Sequence, residues 1–378
     1  MKIKAIDIFC DVIDNYGDAG VTYRLAKSLI EKNSGFKIRL FSNNLNIFSK
    51  LDNKIILFSE CHIPGRIEFI PYKTLTKEFL QKYPPAPLII EAFACQIPEI
   101  YYQTVLKTES IIINLDHLSA ENWIEGYHLK ESLISDSMIK KYFFMPGFTV
   151  KSGGLILDRL LNTGEMKSLR KYYCNHFRIE GDGLIGSIFT YEHNYGNFIN
   201  DIISYGGKTE LVVFGEKSKS SFLTTVEEMN FIKITENIYQ LENLKVVFSD
   251  FLPQKKYDEL LKVTDFNFVR GEDSWARACL SGKPFIWHSY FQENNYQLVK
   301  VQACNELLKN YYPEEELFLK FSEYQLLFNN RTAGNNDNSF MFFLENLTVI
   351  SAYNSELSKY LFKNCNLIKN LLFFVGSL

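Results

Sequence analysis

Short apolar runs, each closed by turn residues, alternate along this chain with longer stretches whose apolar positions recur at helical spacing. The first half predicts strands over 5–10, 37–42, 88–93 and 110–115, with a helix over 20–33. Runs such as Leu88-Ile-Ile-Glu-Ala-Phe93 and Ser110-Ile-Ile-Ile-Asn-Leu115 show little polar alternation. Strands buried on both faces of a parallel sheet have that character. A second block begins near Gly181, with strands over 184–189, 211–214, 245–248, 264–269 and 284–287 and a helix over 257–262. Strands alternating with helices predict βαβ units.

Two such blocks predict two Rossmann-like α/β domains facing across a cleft, the glycosyltransferase-B arrangement. The first is expected over 1–180, with a C-terminal helix over 355–378 packing back on it, and the second over 181–354. The charged, helical stretch 151–174 reads as a hinge. Tyr83-Pro-Pro-Ala-Pro87 is a stiff connector into a strand, and 329–339 is a polar loop.

Candidate chemistry concentrates at two strand ends. The apolar segment 264–269 runs into Arg270-Gly-Glu-Asp-Ser274 and then a helix. Such a corner presents backbone N–H groups and the positive end of a helix, which suits a diphosphate, and Arg270 can grip phosphate oxygens bidentately. Helix capping by Ser274, with Glu272 and Asp273 favouring the dipole, is the structural alternative. The following segment Gly282-Lys-Pro-Phe-Ile-Trp-His-Ser-Tyr290 favours a ligand site. It adds a second strand ending on the same side, where open parallel sheets bind ligands.

After the first strand come Asp14 and Asp18 among glycines that permit a tight turn. The spacing is not GxGxxG, so a dinucleotide fingerprint is absent. Carboxylates repel phosphate, and this corner therefore suits a cation or a proton. Capping by Asp18 and a turn role for Asp14 are the plain structural readings. One base would serve a sugar hydroxyl. Two acids suit a guanidinium, which one carboxylate can orient while the other takes a proton.

Composition narrows the classes. A net charge of −3, from 41 Lys+Arg against 44 Asp+Glu, leaves no polybasic footprint and argues against nucleic acid as the partner. Seven scattered cysteines show no zinc spacing and read as buried free thiols. No signal peptide or membrane-length apolar run is visible. The expectation is a cytoplasmic protein.

Asp7-Ile-Phe-Cys-Asp-Val-Ile-Asp-Asn-Tyr-Gly-Asp-Ala-Gly-Val21 resembles the opening of the elongation factor P arginine rhamnosyltransferases, the EarP family. So do Asn114-Leu-Asp-His-Leu-Ser-Ala-Glu121, Met145-Pro-Gly-Phe-Thr149 with Gly153-Gly154-Leu155, Phe251-Leu-Pro-Gln254, the corner 268–274 and Gly282-Lys-Pro-Phe-Ile-Trp-His288. The similarity runs through nearly the whole chain in the family's order. It implies inverting transfer of rhamnose from dTDP-β-L-rhamnose to an arginine of elongation factor P, without a metal or cofactor. It also implies that the modified factor is activated to relieve ribosome stalling at polyproline.

By the same resemblance Asp14 and Asp18 are the functional acids; Asp18 is taken as the general base and Asp14 as the group that orients the guanidinium, with the reverse assignment open, and Asp14, Asn15, Tyr16 and Gly17 meet the acceptor. Glu272 is a third catalytic candidate. Phe251 and Gln254 match the thymine site, with Phe189 and Tyr191 as its other wall. Arg270, Asp273 and Ser274 match the nucleotide-sugar loop, and Tyr290 lies at the same mouth. His288 more naturally makes a structural or phosphate hydrogen bond than serves as a base. Asp116-His117 replaces the family's common Glu-Tyr pair, Trp275 replaces other apolar residues, and Thr190 stands where cysteine is common. Two rivals are another nucleotide-sugar enzyme of the same fold, a small-molecule glycosyltransferase or an epimerase, and a non-catalytic module that binds the translation factor.

Overall fold

The apolar runs become strands of two separate sheets in a computed structural model that describes residues 3–13, 16–52, 55, 66–133, 139–330 and 339–378. One sheet contains β1 (Ala5–Cys10), β2 (Lys37–Ser42), β3 (Ile67–Pro71), β4 (Leu88–Ala92), β5 (Ile111–Leu115) and β6 (Lys140–Phe144). All six are parallel, in the order β3-β2-β1-β4-β5-β6. The chain therefore reverses direction across the sheet between β1 and β4, the place where such folds bind ligands. Every residue of β4 and β5 is buried, which is why neither alternates.

A buried carboxylate ties this sheet to its flanking loop. Asp7 on β1 accepts from Arg39 Nε at 2.6 Å, from the Ala86 N–H at 2.9 Å and from the Tyr101 hydroxyl. A charge buried without such partners would be strongly destabilising; here each carboxylate oxygen has a donor. Leu367, Ile368, Leu371 and Val375 of the last helix, Leu367–Ser377, complete the core on one face.

The second sheet has β7 (Leu184–Ile188), β8 (Thr209–Phe214), β9 (Ile232–Thr235), β10 (Ile238–Leu241), β11 (Leu244–Ser249), β12 (Phe266–Arg270) and β13 (Phe285–His288). Its order is β13-β12-β7-β8-β11-β10-β9. The first five of these strands are parallel, and β10 and β9 add an antiparallel hairpin. Direction reverses between β7 and β12, so their C-terminal ends flank the second switch point.

The compact units are residues 1–157 with 361–378, and residues 158–360. The boundaries expected at 180 and 355 move because the helix Thr163–Phe177 is no hinge: it packs on the helix Gln254–Val263. Arg170 on the former pairs with Asp265 at 2.9 Å and donates to the Val263 carbonyl at 2.7 Å. The single C-terminal helix expected is two, Leu347–Asn364 and Leu367–Ser377. Among the described residues no helix is long and apolar enough to cross a membrane.

Candidate active site

Phe189, Thr190 and Tyr191 continue β7 beyond its last residue, and Arg270 closes β12 beside them. Ser218, fully buried on the helix Glu216–Glu228, fixes this end. Its Oγ accepts from the Thr190 N–H at 2.7 Å and donates to the Thr190 carbonyl at 2.9 Å. Arg270 Nη1 donates to the same carbonyl at 2.9 Å. The guanidinium carbon lies 4.3 Å from the Phe189 ring centroid and 5.1 Å from that of Tyr191. Phe189 presses so close to Gly215 that a Cβ there would meet its ring at 2.6 Å.

The helix Gly271–Ser281 starts at once, with Arg270 in the capping position and no side-chain cap. Ser274 is therefore inside the first turn rather than the N-cap. Gly271 makes the early start possible because its φ of +67° is a conformation other residues rarely adopt. Its carbonyl accepts from Trp287 Nε1 at 3.1 Å, and the Trp287 ring stacks on Trp275 at 4.1 Å. Backbone N–H groups of this first turn thus open on the switch point between β7 and β12, an anion-binding geometry.

Glu272 and Asp273 occupy the same turn. Glu272 lies 3.3 Å from Lys300 Nζ, and Asp273 lies 3.8 Å from Arg277 Nε. Phe251, 40% exposed, sits 6.4 Å from Phe189 ring to ring, and Gln254 begins the helix Gln254–Val263 two residues beyond Leu252. Tyr290, 5.6 Å from Tyr191, is exposed. The structure therefore gathers Phe189, Tyr191, Phe251, Arg270, Glu272, Asp273, Ser274 and Tyr290 around one switch point.

Tyr257 is a member that sequence reasoning missed. Its ring packs 5.6 Å from Phe189 and 5.4 Å from Phe214. Its buried hydroxyl faces the Ser274 hydroxyl, with Asp273 and Arg270 in electrostatic range, and among the described residues it makes no hydrogen bond of good geometry. Burial pushes this phenol's pKa above its ordinary range. His193 and His288, the other polar aromatics here, pack together at 5.9 Å and against Phe328 at 4.0 and 5.0 Å. Burial lowers the His193 pKa to about 4, an environment for a neutral imidazole rather than a base that stores a proton.

In the first unit, Tyr16, Gly17 and Asp18 open the helix Tyr16–Lys32. Asp14 and Asn15 lie outside the described residues. Asp18 is buried, and its Oδ2 accepts from the Ile13 N–H at 3.2 Å. Nearby on the same sheet edge, Asp11 Oδ2 accepts from the Gln96 N–H at 3.1 Å. Phe93 and Ala94, with left-handed φ of 59° and 50°, leave β4 there, and Phe93 stacks on His117 at 4.4 Å. Backbone strain of this kind gathers at functional sites.

A family model described as elongation-factor P (EF-P) rhamnosyltransferase EarP matches residues 6–376. The protein-arginine rhamnosyltransferase of Shewanella oneidensis is 33% identical over 321 residues, covering 79% of this chain and 79% of the relative. That of Pseudomonas aeruginosa is 32% identical over 314 residues, covering 80% and 81%. A solved structure of EarP, which mediates arginine glycosylation of the translation elongation factor EF-P, aligns with a TM-score of 0.63 at 19% identity, over 100% of this chain and 99% of that one. A glycosyltransferase from Rickettsia africae aligns at 0.51 and 11% identity, with coverage of 100% and 99%.

Proposed function

Because the chain belongs to the EarP family of elongation-factor P rhamnosyltransferases, we propose that it transfers rhamnose from dTDP-β-L-rhamnose to an arginine of elongation factor P with inversion. The observation that carries the donor half is the clamp of Arg270 on Phe189, Tyr191 and the Thr190 carbonyl beside an open helix N-terminus. An aromatic wall, a fixed guanidinium and a row of backbone N–H groups together suit a base, a diphosphate and a leaving group.

In the proposed step the terminal nitrogen of the acceptor guanidinium attacks the anomeric carbon. A C–N bond forms and the bond from that carbon to the diphosphate oxygen breaks. Asp18 takes the proton from nitrogen, and Asp14 orients the guanidinium. The departing diphosphate takes both bonding electrons, and its charge is met by Arg270 and by the N–H groups of the first turn. Phe251 and Gln254 hold the thymine, and Glu272 engages donor hydroxyls. No metal or cofactor takes part.

Incubating the protein with dTDP-β-L-rhamnose and elongation factor P tests this. Intact-mass spectrometry should show a gain of one deoxyhexose on the factor, lost when the target arginine is replaced by lysine. NMR of the product should show the anomeric configuration opposite to the donor's. An unmodified factor after full incubation overturns the proposal.

A further inference from the structure

Carboxylates in the first turn of a helix complement its positive end, yet they repel a diphosphate arriving at the same place. The helix Gly271–Ser281 carries two, and each meets a cation. Arg277 stands one turn along the same helix and is itself tied to Asp158 at 2.7 Å. Lys300 comes from a different helix, Tyr296–Lys309, to reach Glu272 Oε1 at 3.3 Å. Both side chains of the Lys300–Glu272 pair are mostly shielded, at 25% and 28% exposure. Attraction between them is therefore less screened than on an open surface.

The approach of Lys300 is held by a constructed joint. Asn294 and Asn295 both adopt left-handed backbone, with φ of 56° and 57°. Side-chain-bearing residues resist that conformation, Asn least among them. Gln297, 1% exposed, secures the joint by accepting from the Gln292 N–H at 3.2 Å and donating to the Asn329 carbonyl at 3.4 Å. One turn further on, Lys300 is delivered to Glu272.

We propose that Lys300 is a positioning residue for the nucleotide-sugar site. It fixes the Glu272 carboxylate and offsets its charge where the diphosphate must arrive. This rests on the donor site proposed above. A purely structural reading makes the pair a link between two helices, which would affect melting and leave nucleotide affinity alone.

Calorimetric binding of dTDP to the full chain separates these, using Lys300→Met, Glu272→Ala and the double variant, each with its melting temperature recorded. Lys300→Met should weaken dTDP about fivefold to tenfold, and Lys300→Arg should restore most of the affinity. In the Glu272→Ala background Lys300→Met should add less than about twofold, because nothing is left to hold. A full effect persisting in that background overturns the inference, since Lys300 would then act independently of Glu272. A changed melting temperature with unchanged dTDP affinity also overturns it. Failure of the wild-type protein to bind dTDP would overturn the donor assignment itself, and this inference with it.

Discussion

The guanidinium of Arg270 lies over the ring of Phe189, 4.3 Å from guanidinium carbon to ring centroid, with one N–H spent on the Thr190 carbonyl. The arginine is therefore held before a ligand arrives, and among the described residues its other N–H donors stay available to phosphate oxygens. Lysine reproduces neither the planar stack nor the fork. Loss of the stack, about 1 kcal/mol, and of a charge-assisted hydrogen bond, about 1.5–3 kcal/mol, sets the scale. Arg270→Lys should lower kcat/KM for the donor about 10²-fold. Steady-state kinetics within twofold of wild type would refute this role.

The proposed base role of Asp18 can be separated from its hydrogen bond to Ile13. Asparagine keeps an oxygen for the Ile13 N–H, but it cannot take a proton. Asp18→Asn should retain the circular dichroism spectrum and melting temperature while kcat falls by about 10²–10⁴-fold. If Asp18→Asn turns over normally and Asp18→Ala melts early, the carboxylate serves the loop alone.

Tyr257 carries a buried hydroxyl that, among the described residues, has no well-made hydrogen bond, beside Ser274, Asp273 and Arg270. Such groups are costly unless a ligand completes them. Tyr257→Phe keeps the ring on Phe189 and Phe214. It should leave the melting temperature equal or higher, while dTDP binding weakens about fivefold. Loss of stability with unchanged affinity would show that the hydroxyl serves the fold.

The strands that were legible in the sequence are those buried on both faces. β4 and β5 read directly because nothing in them alternates. β6 opens with two lysines at a sheet edge, and β9 is exposed at all four positions, so neither leaves an apolar run to find. The helix Thr163–Phe177 read as a hinge because only Tyr173, Cys174 and Phe177 are buried along it. Its anchor, Asp265, lies far along the chain. The same physics divides the site. Phe189 and Arg270 end strands and meet turn residues, a local signal. Ser218, Tyr257 and Lys300 sit within ordinary helical sequence and reach the site through tertiary packing alone. The alternative reading of Ser274 as a cap does not hold, because a left-handed Gly271 lets the helix begin earlier.

Burial holds the His193 and His128 pKa values down to about 4 from an ordinary value of 6.5. His193 is enclosed by Phe328, Tyr195 and His288. In the unfolded chain both imidazoles take up a proton near pH 6.5, and the folded chain does so only near 4. The unfolded state therefore binds more protons between those values, and stability falls as pH drops through that window. Each histidine adds a slope of at most about 1.4 kcal/mol per pH unit. Chemical denaturation at pH 7, 6 and 5 should show the decline, and His193→Phe should flatten it by up to half. A His193→Phe slope equal to wild type would mean that this imidazole is protonated in the folded protein at the same pH as in the unfolded chain.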